Sequence, residues 1–252
     1  MLIDTHCHLN KEEYNNIEEV IKGMNGIMIT AGCDDKSNLE VIEQVSLYEN
    51  VYGVLGIHPE SVTEVTEESF KIIENHINNP KIVGIGEVGL DYYWDKEHKK
   101  EQKALFIKQI ELAKKYNKTV VVHSREAIED TLSIIKKYPD VKFVFHCFGS
   151  SLEIAKELIK SGIKLGIGGV VTFKNGVKLK EVVAGVDLEY LLLETDSPYL
   201  TPEPYRGKRN EPANTLYIAQ KIAEIKGVSV DTVIEKTAQN AIQQFDLPIS
   251  LW

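Results

Sequence analysis

The sequence is poor in the features that would place it in a specialised class. Its three cysteines, Cys7, Cys33 and Cys147, form no CxxC pair in 252 residues, which excludes a disulfide scaffold and a zinc ribbon and points to a reduced, cytoplasmic setting. No uninterrupted apolar run approaches the ~18 residues of a membrane span. The opening MLIDTHCHLN sets Asp4 and two histidines where a secretory signal needs a basic and then an apolar stretch. Basic charge is also scarce: 29 Lys and Arg against 38 Asp and Glu leave a net charge of -9, so a polyanion could be held only locally. Arginine is confined to Arg125, Arg206 and Arg209. No GxGxxG follows the first apolar run, which speaks against a doubly wound dinucleotide fold.

What is present is average globular composition, 43% hydrophobic and 27% charged, arranged as short β-branched runs separated by longer helix-period stretches. The runs Leu2–Thr5, Gly26–Thr30, Val51–Gly56, Ile82–Gly86, Thr119–Val122, Lys142–Phe145, Lys164–Ile167 and Tyr190–Glu194 read as strands. They are continuously apolar, as strands covered on both faces should be. Ser37–Tyr48, Glu68–His76, Glu97–Tyr116, Arg125–Tyr138, Leu152–Ser161 and Ala213–Ile225 carry apolar residues at three- and four-residue spacing and read as helices. Ser150 and Ser151 open one helix and Gly162 closes it. Pro198, Pro202, Pro204 and Pro212 crowd one irregular loop after the eighth strand. Eight βα units in this length predict an α/β protein of a single domain over residues 1–252, a (β/α)8 TIM-type barrel with parallel strands.

In such barrels the chemistry lies at the C-terminal ends of the strands, and the polar residues of this chain gather there. The first strand ends in DTHCH, where His6 and His8 flank Cys7 and alternate onto one side. GIHP follows the third with His58, and GEVGLDYYW the fourth with Glu87 and Asp91. VVHSRE marks the fifth with His123 and Arg125, HCFGS the sixth with His146, and ETDSP the eighth with Glu194 and Asp196. Five of the seven histidines thus stand at strand ends, while His76 and His98 lie in charged helical stretches. A lone histidine is more often a hydrogen-bonded imidazole than a ligand, but scattered core histidines would not choose the same end of one strand after another. Four imidazoles with Glu87 and Asp196 exceed the three or so protein ligands of one catalytic zinc, which predicts two metals. Ions roughly 3.5–4 Å apart need a bridging anion. Glu87 is the best-placed bridge, with His6, His8 and Asp196 completing one ion and His123 and His146 the other. Water between the ions is the expected nucleophile. Asp196 is the expected proton acceptor, with Glu194 as the competing base.

DTHCHLN, GIHP, GEVGLDYYW, VVHSREA, HCFGS and ETDSPYLTP together resemble the motif series of the TatD family of metal-dependent hydrolases, in order from Asp4 to about Pro212. The resemblance implies a TIM-type barrel, a divalent-metal centre and deoxyribonuclease activity, described for the family as 3′ to 5′ exonucleolytic or as acting on the DNA end. It carries the metal positions onto His6, His8, Glu87, His123, His146 and Asp196, and lines the pocket with His58. Where related amidohydrolase-like barrels carry a carboxylated lysine, this chain has Glu87.

The expected substrate is DNA or an oligonucleotide, with His58, Arg125, Arg206 and Arg209 as candidate phosphate contacts, since an arginine fork grips phosphate by two parallel hydrogen bonds. PYRGKRN also reads as an ordinary solvated loop. Tyr92, Tyr93 and Trp94 are equally compatible with base stacking and with a packed lid. Histidine-rich ligation suits Zn, Mn, Ni or Fe better than Mg, although the family is commonly assayed with Mg. The rival within hydrolases is an ester or amide hydrolase, such as an aminoacyl-nucleic-acid deacylase; the rival outside them is a metal-dependent binding protein. No protein partner is legible in the sequence.

Overall fold

A computed structural model of the chain describes residues 1–249; residues 250–252, the end of the expected domain, lie outside the described residues. The strands are β1 (Leu2–Cys7), β2 (Gly26–Ala31), β3 (Val51–Leu55), β4 (Ile82–Asp91), β5 (Thr119–Arg125), β6 (Phe143–Phe145), β7 (Lys164–Ile167) and β8 (Leu191–Leu193). The helices are α1 (Ile17–Gly23), α2 (Asp35–Leu47), α3 (Glu67–His76), α4 (Lys99–Lys115), α5 (Ile128–Ile135), α6 (Leu152–Lys160), α7 (Val177–Gly185), α8 (Thr215–Lys226) and α9 (Val230–Phe245). The strands form one eight-stranded sheet in sequential order from β1 to β8. β1 pairs with β2 in parallel and also adjoins β8, where the Thr5 hydroxyl donates to the Leu193 carbonyl at 2.9 Å. Sequential parallel strands with helical crossovers, the last beside the first, make a (β/α)8 TIM barrel.

The chain divides into two compact units. One comprises Met1–Thr30, Asn50–Tyr52 and His146–Trp252. Its core is built by β1 and β8 with α8 and α9 against them, and by β7, which lies beside β8 and is covered by α6. The helices bury Ile218, Ala219, Ile222 and Ala223, and Val233, Ala238, Ala241 and Phe245, at the spacing of one helical face. α8 stops at Gly227, whose left-handed φ of 66° closes the helix. α9 then starts on the Ser229 side chain, which accepts the Thr232 N–H at 3.1 Å.

The other unit comprises Ala31–Glu49 and Gly53–Phe145. α2 opens with a capping box between Asp34 and Ser37. α4 buries Leu105, Phe106, Ile110 and Ala113 and carries two buried glutamines that fasten strand ends. Gln109 accepts the Ile57 N–H at 2.8 Å and donates to the Ile57 carbonyl at 2.9 Å. Gln102 treats Asp91 likewise, at 2.9 and 3.1 Å.

Two boundaries differ from expectation in ways that matter for the site. β4 continues past Gly86 to Asp91, because the register against β5 slips between Ile85 and Val88, inserting one extra residue as a bulge and then resuming. Gly89 allows the resumption: at its φ of 148° a Cβ would lie 1.9 Å from the His123 carbonyl oxygen. The expected helix Arg125–Tyr138 is shorter, Ile128–Ile135. Arg125 belongs to β5, and Glu126 turns the chain with a φ of 52° before the helix can begin. Helices α1, α7 and α9 were not among those expected. No helix of the described residues is long and apolar enough to cross a membrane.

Candidate metal centre

In the first unit the donors, buried except for the half-buried Asp196, come from the ends of β1 and β8 and from the residue after β6. His6 Nε2 and His8 Nε2 are 3.2 Å apart, and Asp196 Oδ1 lies 3.8 Å from the first and 3.4 Å from the second. The His146 ring stacks on His6 with centroids 4.0 Å apart. Ligand atoms of His6, His146 and Asp196 all fall within 4.8 Å of one another.

Local backbone fixes this convergence. The Asp196 N–H donates to the His6 carbonyl at 2.9 Å and the His8 N–H to the Ser197 carbonyl at 2.7 Å. Asp196 has a φ of 53°, a left-handed conformation that Asp tolerates better than most residues. Beneath it, buried Asp4 accepts from the Thr195 N–H at 2.9 Å, the Thr195 hydroxyl at 2.6 Å and the His6 N–H at 3.2 Å. Asn210 donates to the Thr195 carbonyl at 3.0 Å, and the Tyr14 hydroxyl to the Asn210 carbonyl at 2.9 Å. The loop after β8 is thereby braced against the start of the chain.

The carboxyls of this unit divide into two kinds. Burial alone would raise Asp196, but a hydrogen bond with His8 and the nearby His146, His8 and His6 hold it below the usual carboxylate value. Burial pushes Glu194 up to about 8, reinforced by the charges of Asp196 and Asp4, against the opposing pull of His146 and the Cys147 N–H. Burial likewise raises Asp4 to about 7 despite its hydrogen bonds from Thr195 and His6. At neutral pH the metal-free site therefore presents an ionised Asp196 beside a protonated Glu194. The same unit contains a cavity of about 320 Å³, lined by Cys147, Phe148, Gly168, Val170 and Leu179 among others.

In the second unit Glu87 sits at the β4 bulge, with Oε1 2.8 Å from His123 Nδ1 and 3.4 Å from His58 Nε2. Ligand atoms of His58, Glu87 and His123 fall within 4.8 Å of one another. The other nitrogen of His123, Nε2, lies 2.9 Å from Asp91 Oδ2. Burial would lower the His123 imidazole, but its hydrogen bonds to Asp91 and Glu87 outweigh that and raise it to about 9. Cys33 Sγ lies 3.8 Å from Glu87 Oε2.

Both donor sets suit a divalent cation, since each brings imidazole nitrogen and carboxylate oxygen together in a buried place with an ionised group to offset charge. Among the candidate substrate contacts, His58 joins the Glu87 set. Arg125, Arg206 and Arg209 are all exposed. The Arg206 guanidinium lies 4.1 Å over the Phe173 ring. Arg209 donates to the Glu13 carbonyl at 3.0 Å and pairs with Glu211 at 3.5 Å, so it also fastens the loop. Sequence reasoning assigned no role to Asp91, Asp4 or Thr195. The spacing of four from Glu87 to Asp91 in an extended segment places both on one face, a signal that could have found Asp91. The Asp4–Thr195 contact spans most of the chain and leaves no local trace.

A model of the family described as TatD related DNase matches residues 3–246. The chain belongs to this family. It is 41% identical to the uncharacterized metal-dependent hydrolase YabD of Bacillus subtilis, over 97% of this chain and 99% of the relative. It is 35% identical to deoxyribonuclease TATDN3 of Homo sapiens, over 97% of this chain and 94% of the relative. The crystal structure of YJJV, a TatD homologue from Escherichia coli K12, superposes with a TM-score of 0.90 at 27% identity, covering 98% of both chains. The family is one of metal-dependent hydrolases, and the histidine and carboxylate groups fit divalent metal binding.

Proposed function

We propose that this TatD-family hydrolase is a cytoplasmic, single-domain deoxyribonuclease that cleaves DNA phosphodiester bonds, trimming strands from the 3′ end. The observation that carries the reading is the convergence of His6 Nε2, His8 Nε2 and Asp196 Oδ1 within 3.8 Å, on a chain 35% identical to a protein named a deoxyribonuclease. In one unit His6, His8, His146 and Asp196, and in the other Glu87 and His123, are the residues that would hold divalent ions; Zn, Mn, Ni, Fe and Mg are the candidates. Bound there, the ions would supply Lewis acidity toward water and the phosphoryl oxygens.

The remaining work falls to the side chains. Asp196, ionised and fixed at its left-handed turn, takes the proton of the attacking water as the new bond to phosphorus forms. It returns that proton to the sugar oxygen that leaves as the old P–O bond breaks. Glu194, protonated at neutral pH in the metal-free site and engaged by the Cys147 N–H, orients His146 from 3.8 Å. His58, Arg125 and Arg206 contact the phosphates, and Arg209 does so while bracing its loop.

The test is a paired release assay on a 5′-labelled single-stranded oligonucleotide and on the same strand carrying a 3′-aminoacyl ester, each with and without restored metal. Progressive shortening of the first is expected. Release of the amino acid without any shortening would assign the enzyme to ester hydrolysis instead.

A further inference from the structure

We propose that Tyr93 and Trp94, together with the Arg125 guanidinium, form a stacking platform for an unpaired nucleobase of the substrate, held in fixed relation to His123 by Asp91. The inference rests on the nuclease reading for its ligand and on the following geometry for its place.

The three aromatics after β4 do not form a packed lid. Tyr92 turns inward, buried, with its hydroxyl donating to Asp130 at 2.7 Å. Tyr93 and Trp94 stay outside at 46% and 63% exposure, their rings edge to face with centroids 4.8 Å apart. The Arg125 guanidinium lies 3.9 Å over the Tyr93 ring and 5.5 Å from the Trp94 ring. A guanidinium laid on an aromatic face keeps its N–H edges available for phosphate while the neighbouring π-face remains open.

This exposed pair is anchored with unusual economy. The N–H groups of Tyr93 and Trp94 both donate to Asp91 Oδ1 at 2.9 Å. The second oxygen of the same carboxylate meets His123 Nε2 at 2.9 Å, and Gln102 clamps the Asp91 backbone from below. Lys96 and Glu126, 3.7 Å apart, tie the loop after β4 to the one after β5. One carboxylate therefore sets both the candidate metal ligand and the turn that presents the rings. Stacking also suits this chain, because at a net charge of -9 phosphate attraction acts only locally, whereas every base offers a π-face.

The probe is Trp94 fluorescence in the full-length Trp252→Phe protein; Trp252, the second tryptophan, lies outside the described residues. With EDTA present, oligo-dT should quench the emission and an abasic strand of equal length and charge should not. With metal present, the preference in kcat/KM for a base-bearing over an abasic 3′ end should fall about 10-fold in Trp94→Ala and recover in Trp94→Phe. Equal quenching by both strands, or none by either, overturns the platform, as does a preference unchanged in Trp94→Ala. Base-dependent quenching without any strand cleavage would leave the platform standing and refute the nuclease reading.

Discussion

Replacing Asp91 with Asn exchanges one carboxylate oxygen for an amide and should weaken His123 as a candidate metal ligand. Oδ1 is retained, so the N–H groups of Tyr93 and Trp94 keep their acceptor and the turn should survive. At the other position an amide N–H2 replaces the oxygen that stands 2.9 Å from His123 Nε2. Where the carboxylate favours a proton on Nε2 and leaves Nδ1 facing Glu87, the amide demands an acceptor at Nε2 and drives the proton onto Nδ1, the nitrogen 2.8 Å from Glu87. Outer partners that fix the tautomer of a ligating histidine are worth roughly 10–100-fold in metal affinity or activity. The imidazole provides an independent scale. Its rise from the ordinary 6.5 to about 9 is what Asp91 and Glu87 achieve together against the opposing effect of burial. Removing one of the two carboxylates while burial remains should therefore take back more than half of that rise. The assay is isothermal titration of the metal-free protein with Mn or Zn, paired with an NMR titration of the His123 ring in the same sample. Unchanged metal affinity together with an unchanged His123 titration would refute the tautomer argument.

Three further outcomes follow from the same geometry. Arg206→Ala should raise KM for a single-stranded oligonucleotide and reduce the slope of log affinity against log salt by about 0.7, the value of one phosphate contact; an unchanged slope returns Arg206 to its contact with Phe173. Asp196→Asn should lower kcat by about 100-fold or more and flatten the acidic limb of the pH–rate profile, whereas Glu194→Gln should retain that limb; the reverse pattern would make Glu194 the base. The EDTA-treated protein should lose thermal stability between about pH 5 and 8. Asp4 at about 7 and Glu194 at about 8 bind protons more tightly when folded than at their ordinary 3.8 and 4.5, so their contribution is full at low pH and disappears as pH climbs through the raised values. Glu194→Gln should remove much of that slope in a melting series, and a wild-type melting temperature that rises over this range would contradict the sign.

Much of the fold was legible because the βα alternation is local. Strands buried on both faces print as apolar runs, and the polar residue after each run marks the strand's end. His6 and His8 were legible for the same reason, since alternation about Cys7 puts both rings on one side and their Nε2 atoms meet at 3.2 Å. The true length of β4 was hidden because Gly86 and Gly89 read as an ending. Only the partner strand shows that one sits at a bulge and the other passes against His123. The late start of α5 depends on the left-handed turn at Glu126, which nothing in a Glu residue announces. α1, with seven residues, is too short for periodicity to register. α9 carries both an N-cap serine and an amphipathic face, but it is a helix beyond the eight βα units, so the repeat does not predict it. The braces of the site, Asp4 with Thr195 and Asp91 with His123, join residues distant in sequence, which is why the candidate ligands were legible and their supports were not.

If two metal ions support the proposed hydrolysis, bound metal and turnover should rise together in one titration. Protein stripped by chelator is titrated with Mn, with bound metal measured by elemental analysis and DNA cleavage measured at each point. Cleavage should be absent from the stripped protein, activity should rise as occupancy approaches two ions per chain, and Glu87→Ala should lose both occupancy and turnover. Full nuclease activity in the stripped, metal-free sample would contradict it.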